Sequence, residues 1–123
     1  MFSETLLDHF QNPRNAGELV RADAVVEVSN PVCGDVLRLA VAIEDKKISA
    51  VRFLCRGCTT AIACGSILTV RLQGREVAAI GDLTAESLAN DLGGLPEASY
   101  HGAQLAEDGW KALLTAIERA GLV

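Results

Sequence analysis

Aromatic side chains are scarce in this sequence: Phe2, Phe10, Phe53, Tyr100 and Trp110 are the only five among 123 residues. A core of stacked rings is thereby excluded, and packing must come from Val, Leu, Ile and Ala. The hydrophobic share of 50% is enough for such a core without help from disulfides or metal. Basic residues are also in deficit, with eleven Lys and Arg against sixteen Asp and Glu and a net charge of -5. That is the wrong sign for neutralising many phosphates, which argues against nucleic acid as a partner. No apolar run approaches the roughly 20 residues that span a bilayer, which argues against a membrane. The first ten residues carry two acids and no Lys or Arg, unlike a secretory leader. The expectation is a soluble protein of the cytoplasm, where thiols stay reduced. Repeats, linkers and low-complexity tracts are missing as well, so 1–123 reads as a single domain.

What is present divides into strands first and helices afterwards. Ser3 can cap a short helix over 4–11, which Pro13 stops by disfavouring helical geometry at Asn12. Val25, Val26 and Val28 suggest one strand, and 35–43 alternates apolar and polar as a second. The polar turn Glu44-Asp45-Lys46-Lys47 leads to a return strand through Ile48, Val51 and Phe53. Residues 59–72 carry no charge before Arg71 and predict a helix buried on nearly all sides. Shorter helices are expected near 75–80 and from the Thr84 cap through Asn90, and a last one over about 102–120 with Gly121 as its cap. This order argues an α+β domain, a short antiparallel three-stranded sheet packed against helices.

The four cysteines, Cys33, Cys55, Cys58 and Cys64, lie within a quarter of the chain, with Asp35 beside the first and His101 downstream. Thiolate, carboxylate and imidazole together are ligands for zinc and iron. Cys33, Cys58 and His101 fall at element ends next to glycine or a helix breaker, where sites are usually built. Cys58 opens the buried helix, whose unpaired amides favour thiolate over thiol. Cys64 lies six residues further, about 120° around that helix, and reads as a packed hydrophobe. Cys55, at a strand end, can be core or reach the mouth of the site. His9, on a polar helix face, reads as structural. The pair Cys55-Arg56-Gly57-Cys58 is a C-x-x-C, but its first cysteine is on an antiparallel strand and no second pair completes a zinc ribbon.

Three segments carry a resemblance: Asp8-His9-Phe10-Gln11-Asn12-Pro13-Arg14-Asn15-Ala16-Gly17, Asn30-Pro31-Val32-Cys33-Gly34-Asp35, and Arg52-Phe53 through Gly57-Cys58-Thr59-Thr60-Ala61-Ile62-Ala63. They resemble the IscU-type scaffold family, which includes the N-terminal domain of NifU, and the likeness runs over essentially the whole chain. It implies a scaffold, not an enzyme, on which an iron–sulfur cluster is assembled with sulfur from a cysteine desulfurase and passed to apo acceptor proteins. By position, Cys33, Asp35, Cys58 and His101 match the family's ligand set.

The chain departs from that pattern around His101. The family cysteine after the histidine is Gly102 here, the lysine two before it is Ser99, and the L-P-P-V-K chaperone motif is reduced to Leu95-Pro96. An Hsp70-type chaperone is therefore not expected as a partner. Two thiolates, an imidazole and a carboxylate suit a single zinc or iron ion, or a labile Fe–S cluster with Cys55 or Cys64 as substitute thiol, of which Cys55 is the better placed. Restoring the thiol by Gly102→Cys is expected to improve cluster retention. The alternative is a family member that no longer assembles clusters and serves as a metal carrier or partner-binding regulator. A dithiol redox protein using Cys55 and Cys58 ranks third.

Overall fold

The computed structural model describes residues 2–81 and 83–123. The helix α1 (Glu4–Gln11) is capped by Ser3, whose Oγ accepts the Leu6 N–H at 3.0 Å, and it ends at Asn12, as the proline predicts. Three strands follow, β1 (Ala24–Ser29), β2 (Val36–Glu44) and β3 (Lys47–Arg56), paired antiparallel in the order β1-β2-β3. The β2–β3 turn places Asp45 and Lys46 at positive φ. The chain then runs through α2 (Thr59–Leu72), α3 (Ala85–Asp91) and α4 (Tyr100–Arg119). This is the expected α+β arrangement.

Alternation on the strands sorts the sheet into two faces. Leu37, Leu39 and Val41 on β2, with Val51 and Phe53 on β3, face inward onto α2 and α4. Helix α2 is buried along most of its length, as its lack of charge implies. Close approach to the sheet is set by glycine: a Cβ on Gly65 would lie 2.7 Å from the Phe53 ring, and one on Gly109 would lie 3.0 Å from Leu37 and Leu39.

Differences from the sequence expectation are local. Residues 75–80 make only a 3-10 turn (Val77–Ala79), because Val77 N–H is bonded to Lys46 C=O and a bridge joins Glu76 to Lys47. Tertiary pairing there competes with the helix. Strand β3 also acquires an unexpected neighbour, with Phe53 N–H donating to Asn15 C=O and Gly17 N–H donating to Phe53 C=O. His9 does not lie on a solvated face. It is buried, its Nδ1 2.7 Å from Ser66 Oγ, and that same oxygen accepts the Arg14 N–H at 2.9 Å. Thr69 Oγ1 donates to Ser66 C=O and accepts from Asn15 Nδ2. Arg14 and Asn15 are thereby pinned to α2 by hydrogen bonds, while Asn12 bonds back to Asp8 in α1.

Burial lowers the pKa of His9, and the nearby Arg14 charge lowers it further against a smaller opposing effect of Asp8. The native state therefore refuses a proton that the unfolded chain takes up near pH 6.5. Stability is unpenalised above that pH and falls as pH drops below it. Urea midpoints between pH 7.5 and 5.5 should fall for the native protein and fall less for His9→Gln. Equal slopes in the two proteins would remove His9 from the account.

Candidate metal centre

The site is assembled from three element ends. Residues 30–35 form the β1–β2 turn, closed by Asn30 N–H to Asp35 C=O at 2.9 Å and by Gly34 N–H to Asn30 C=O at 2.7 Å. Asn30 Oδ1 additionally accepts the Val32 N–H. Gly34 has φ +77°, a left-handed conformation that L side chains rarely adopt, and this bend separates Cys33 from Asp35. Cys58 is the N-cap of α2 and His101 is the second residue of α4, so two helix N-termini border the same spot. Their partial positive charge offsets anionic ligands.

The side chains converge. Cys58 Sγ is 3.5 Å from Asp35 Oδ2 and 3.6 Å from His101 Nε2, and His101 Nε2 is 3.8 Å from Asp35 Oδ2. One ligand atom from each of Cys33, Asp35 and His101 also lies within 4.8 Å of the others. Asp35 is buried, while Cys33 and Cys58 are exposed and His101 is half-buried, so the group opens to solvent on one side. Tetrahedral zinc at about 2.0–2.3 Å from its ligands separates them by roughly 3–4 Å, a range that the Cys58, Asp35 and His101 atoms already meet, while Cys33 is held only within 4.8 Å of Asp35 and His101. Val32, 94% exposed, and Tyr100 leave an apolar rim beside Cys33 and His101.

The expectation for Cys58 is overturned in one respect. Burial pushes its thiol up more than the Ala61 N–H pulls it down; the Asp35 carboxylate adds to the rise, and the Thr60 N–H opposes it. The metal-free Cys58 is a thiol donating to Asp35, and a cation must displace that proton.

Cys55 pairs opposite Leu37, shares the inward face of β3 with Val51 and Phe53, and is half-buried against the core. Burial, with smaller contributions from Asp35 and Cys58, pushes its thiol up to about 12, which leaves it protonated and a poor redox nucleophile. Cys64 is fully buried and likewise lifted to about 12, as expected of a packed thiol.

Two glycines in the site, Gly57 and Gly102, pack against neighbours that residue type alone does not announce. A Cβ on Gly57 would lie 2.8 Å from Asp35 Cγ. A Cβ on Gly102 would lie 2.9 Å from Thr60 Cγ2 and 3.0 Å from Ala61 N. Adding a thiol by Gly102→Cys is thus not the simple gain expected from sequence, because α4 must first back away from α2.

The family model described as NifU-like N terminal domain matches residues 1–120. The chain is 40% identical over 108 residues to the iron–sulfur cluster assembly scaffold protein IscU 1 of Archaeoglobus fulgidus, covering 88% of this chain and 71% of that protein. It is 36% identical to the scaffold protein IscU of Haemophilus influenzae, covering 92% of each. Among solved structures, a nitrogen-fixing NifU-like N-terminal protein from Brucella abortus has the same fold (TM-score 0.70, 16% identity, 95% of this chain and 94% of that one). A candidate SUF-system scaffold of Fervidobacterium islandicum does too (TM-score 0.72, 20% identity, 92% and 96%).

Proposed function

The chain belongs to the NifU-like N-terminal domain family, and on that premise we propose that it is an iron–sulfur scaffold-type protein whose cargo is held by Cys33, Asp35, Cys58 and His101. One observation carries the reading: a carboxylate, a thiol and an imidazole from three separate segments meet within 3.5 to 3.8 Å, with a second thiol beside them. Iron and sulfide are substrates here, bound stoichiometrically and then released, so no turnover chemistry is required of the side chains. The chain's own work is to present two sulfur donors at an exposed mouth, with Asp35 taking the Cys58 proton's hydrogen bond and two helix N-termini offsetting negative charge. A cysteine desulfurase as sulfur donor and apo iron–sulfur proteins as acceptors are the partners this chemistry calls for. No helix among the described residues is long and apolar enough to cross a membrane.

A second reading is favoured by Gly102. With no thiol there, the donor set is two sulfurs, one nitrogen and one oxygen, which suits one zinc or ferrous ion as well as a labile cluster. Anaerobic reconstitution of the full chain with iron, sulfide and reductant separates the two. Scaffold function predicts cluster absorption in the visible that transfers to an apo acceptor. An ion carrier predicts tight stoichiometric zinc or iron and no sulfide retained. Binding of neither sinks both.

A further inference from the structure

Among the described residues, the His101 ring meets only Cys58 and Asp35 as polar partners, so the packing of the first turn of α4 must seat it. That turn lies directly on the first turn of α2. Gly102 is buried there, its missing Cβ replaced by the Thr60 methyl at 2.9 Å and by the Ala61 backbone at 3.0 and 3.1 Å. Ordinary contact for a Cβ begins near 3.4 Å, and the obstruction is the backbone of a buried helix, which no rotamer change relieves. On the other side, Gly57 admits the Asp35 carboxyl to within 2.8 Å of where its own Cβ would stand. The two glycines bracket the site and lie next in sequence to Cys58 and His101.

We infer that Gly102 is a positioning residue for His101, and Gly57 for Asp35, and that together they pre-organise the group for a single tetrahedral divalent ion. The inference rests on the reading above that these four side chains bind metal. A Cβ at 102 forces α4 outward by several tenths of an ångström, carrying His101 Nε2 away from its 3.6 Å approach to Cys58. Metal sites tolerate errors of only about 0.5 Å before affinity and geometry degrade. The same packing excludes a side chain at the position where a third thiol would be needed, so Gly102 also sets specificity toward one ion of mixed donors.

The test is anaerobic titration of the full chain with cobalt(II) alone, read by visible absorption and by competition with a chelator. The native protein should show intense tetrahedral d–d bands with sulfur-to-cobalt charge transfer. Gly102→Ala and Gly57→Ala should bind about 10–100-fold more weakly, the range for residues that orient metal ligands, with altered d–d bands. Gly109→Ala is the control: it burdens the same helix with a 3.0 Å contact to Leu37 and Leu39, but away from the site. It should lose stability yet keep the native spectrum and affinity. If Gly102→Ala does not fold, Gly57→Ala alone decides. A native-like spectrum and affinity in the glycine variants, or an equal loss in Gly109→Ala, overturns the inference while leaving metal binding intact. No tetrahedral cobalt spectrum in the native protein overturns the metal-binding reading and this inference together.

Discussion

Cys58→Ser is expected to weaken zinc or ferrous binding by about 100-fold or more without harming the fold. Four-ligand protein sites bind zinc with about 10–16 kcal/mol near neutrality, or roughly 3 kcal/mol per ligand, and each 1.4 kcal/mol is about tenfold. Cys58 lies 3.5 Å from Asp35 and 3.6 Å from His101, so its loss removes a sulfur donor from the middle of the group. Its side chain also occupies the N-cap of α2 without capping it. Serine is a preferred N-cap, so the metal-free variant should be as stable as the native protein or slightly more so. Because burial and Asp35 lift the Cys58 thiol, native affinity must fall on acidification as protons compete with metal, and the variant should lose part of that dependence. Competition against a chromophoric chelator at pH 6.5 and 8, beside a thermal melt of each metal-free protein, measures all three. A loss of affinity under threefold would remove Cys58 from the ligand set.

Much of this arrangement was legible in the sequence, and the reason is that its signals are periodic or local. Alternation through Leu37, Leu39 and Val41 announces a strand whatever packs on it, and Pro13 stops α1 at Asn12 by local sterics alone. Cys33, Asp35, Cys58 and His101 were recognisable because thiols, acids and imidazoles beside chain breakers are rare enough to stand out. What was illegible depends on neighbours distant in the chain. Residues 75–80 have helical composition, but Lys46 claims their backbone. The helix dipole at Cys58 argued for thiolate, and desolvation with a carboxylate 3.5 Å away reversed the sign. Cys55 was ambiguous until the register placed it opposite Leu37 on the inward face. His9 gave no hint that Ser66, 57 residues later, would meet it. Glycines are the extreme case, since a residue without a side chain reveals its role only through what would collide with one.

Leu37→Ala should be among the most damaging single substitutions, costing about 3 kcal/mol or more of unfolding free energy. Leu37 is 1% exposed, two residues beyond Asp35, and reaches both helices that border the site. Its Cδ1 lies 3.4 Å from the position of a Cβ on Gly65 in α2, and its Cδ2 lies 3.0 Å from that of a Cβ on Gly109 in α4. Truncation leaves a cavity where sheet and helices meet, and buried Leu→Ala changes cost about 2–5 kcal/mol depending on how far the surroundings collapse. Here the glycines have no side chains with which to fill it. The same geometry predicts a coupling. In the native background Gly109→Ala gains about 1 kcal/mol of helix propensity but overpacks against Leu37 and Leu39, at a typical cost of about 1–3 kcal/mol. With Leu37 truncated, half of that obstruction is gone and the added methyl partly fills the cavity. The double variant Leu37→Ala/Gly109→Ala should therefore be more stable than the sum of the single effects predicts, by about 0.5 kcal/mol or more, as expected for residues in contact. Urea unfolding of the four proteins closes the cycle; strict additivity would mean that α4 does not rest on Leu37 as this packing requires.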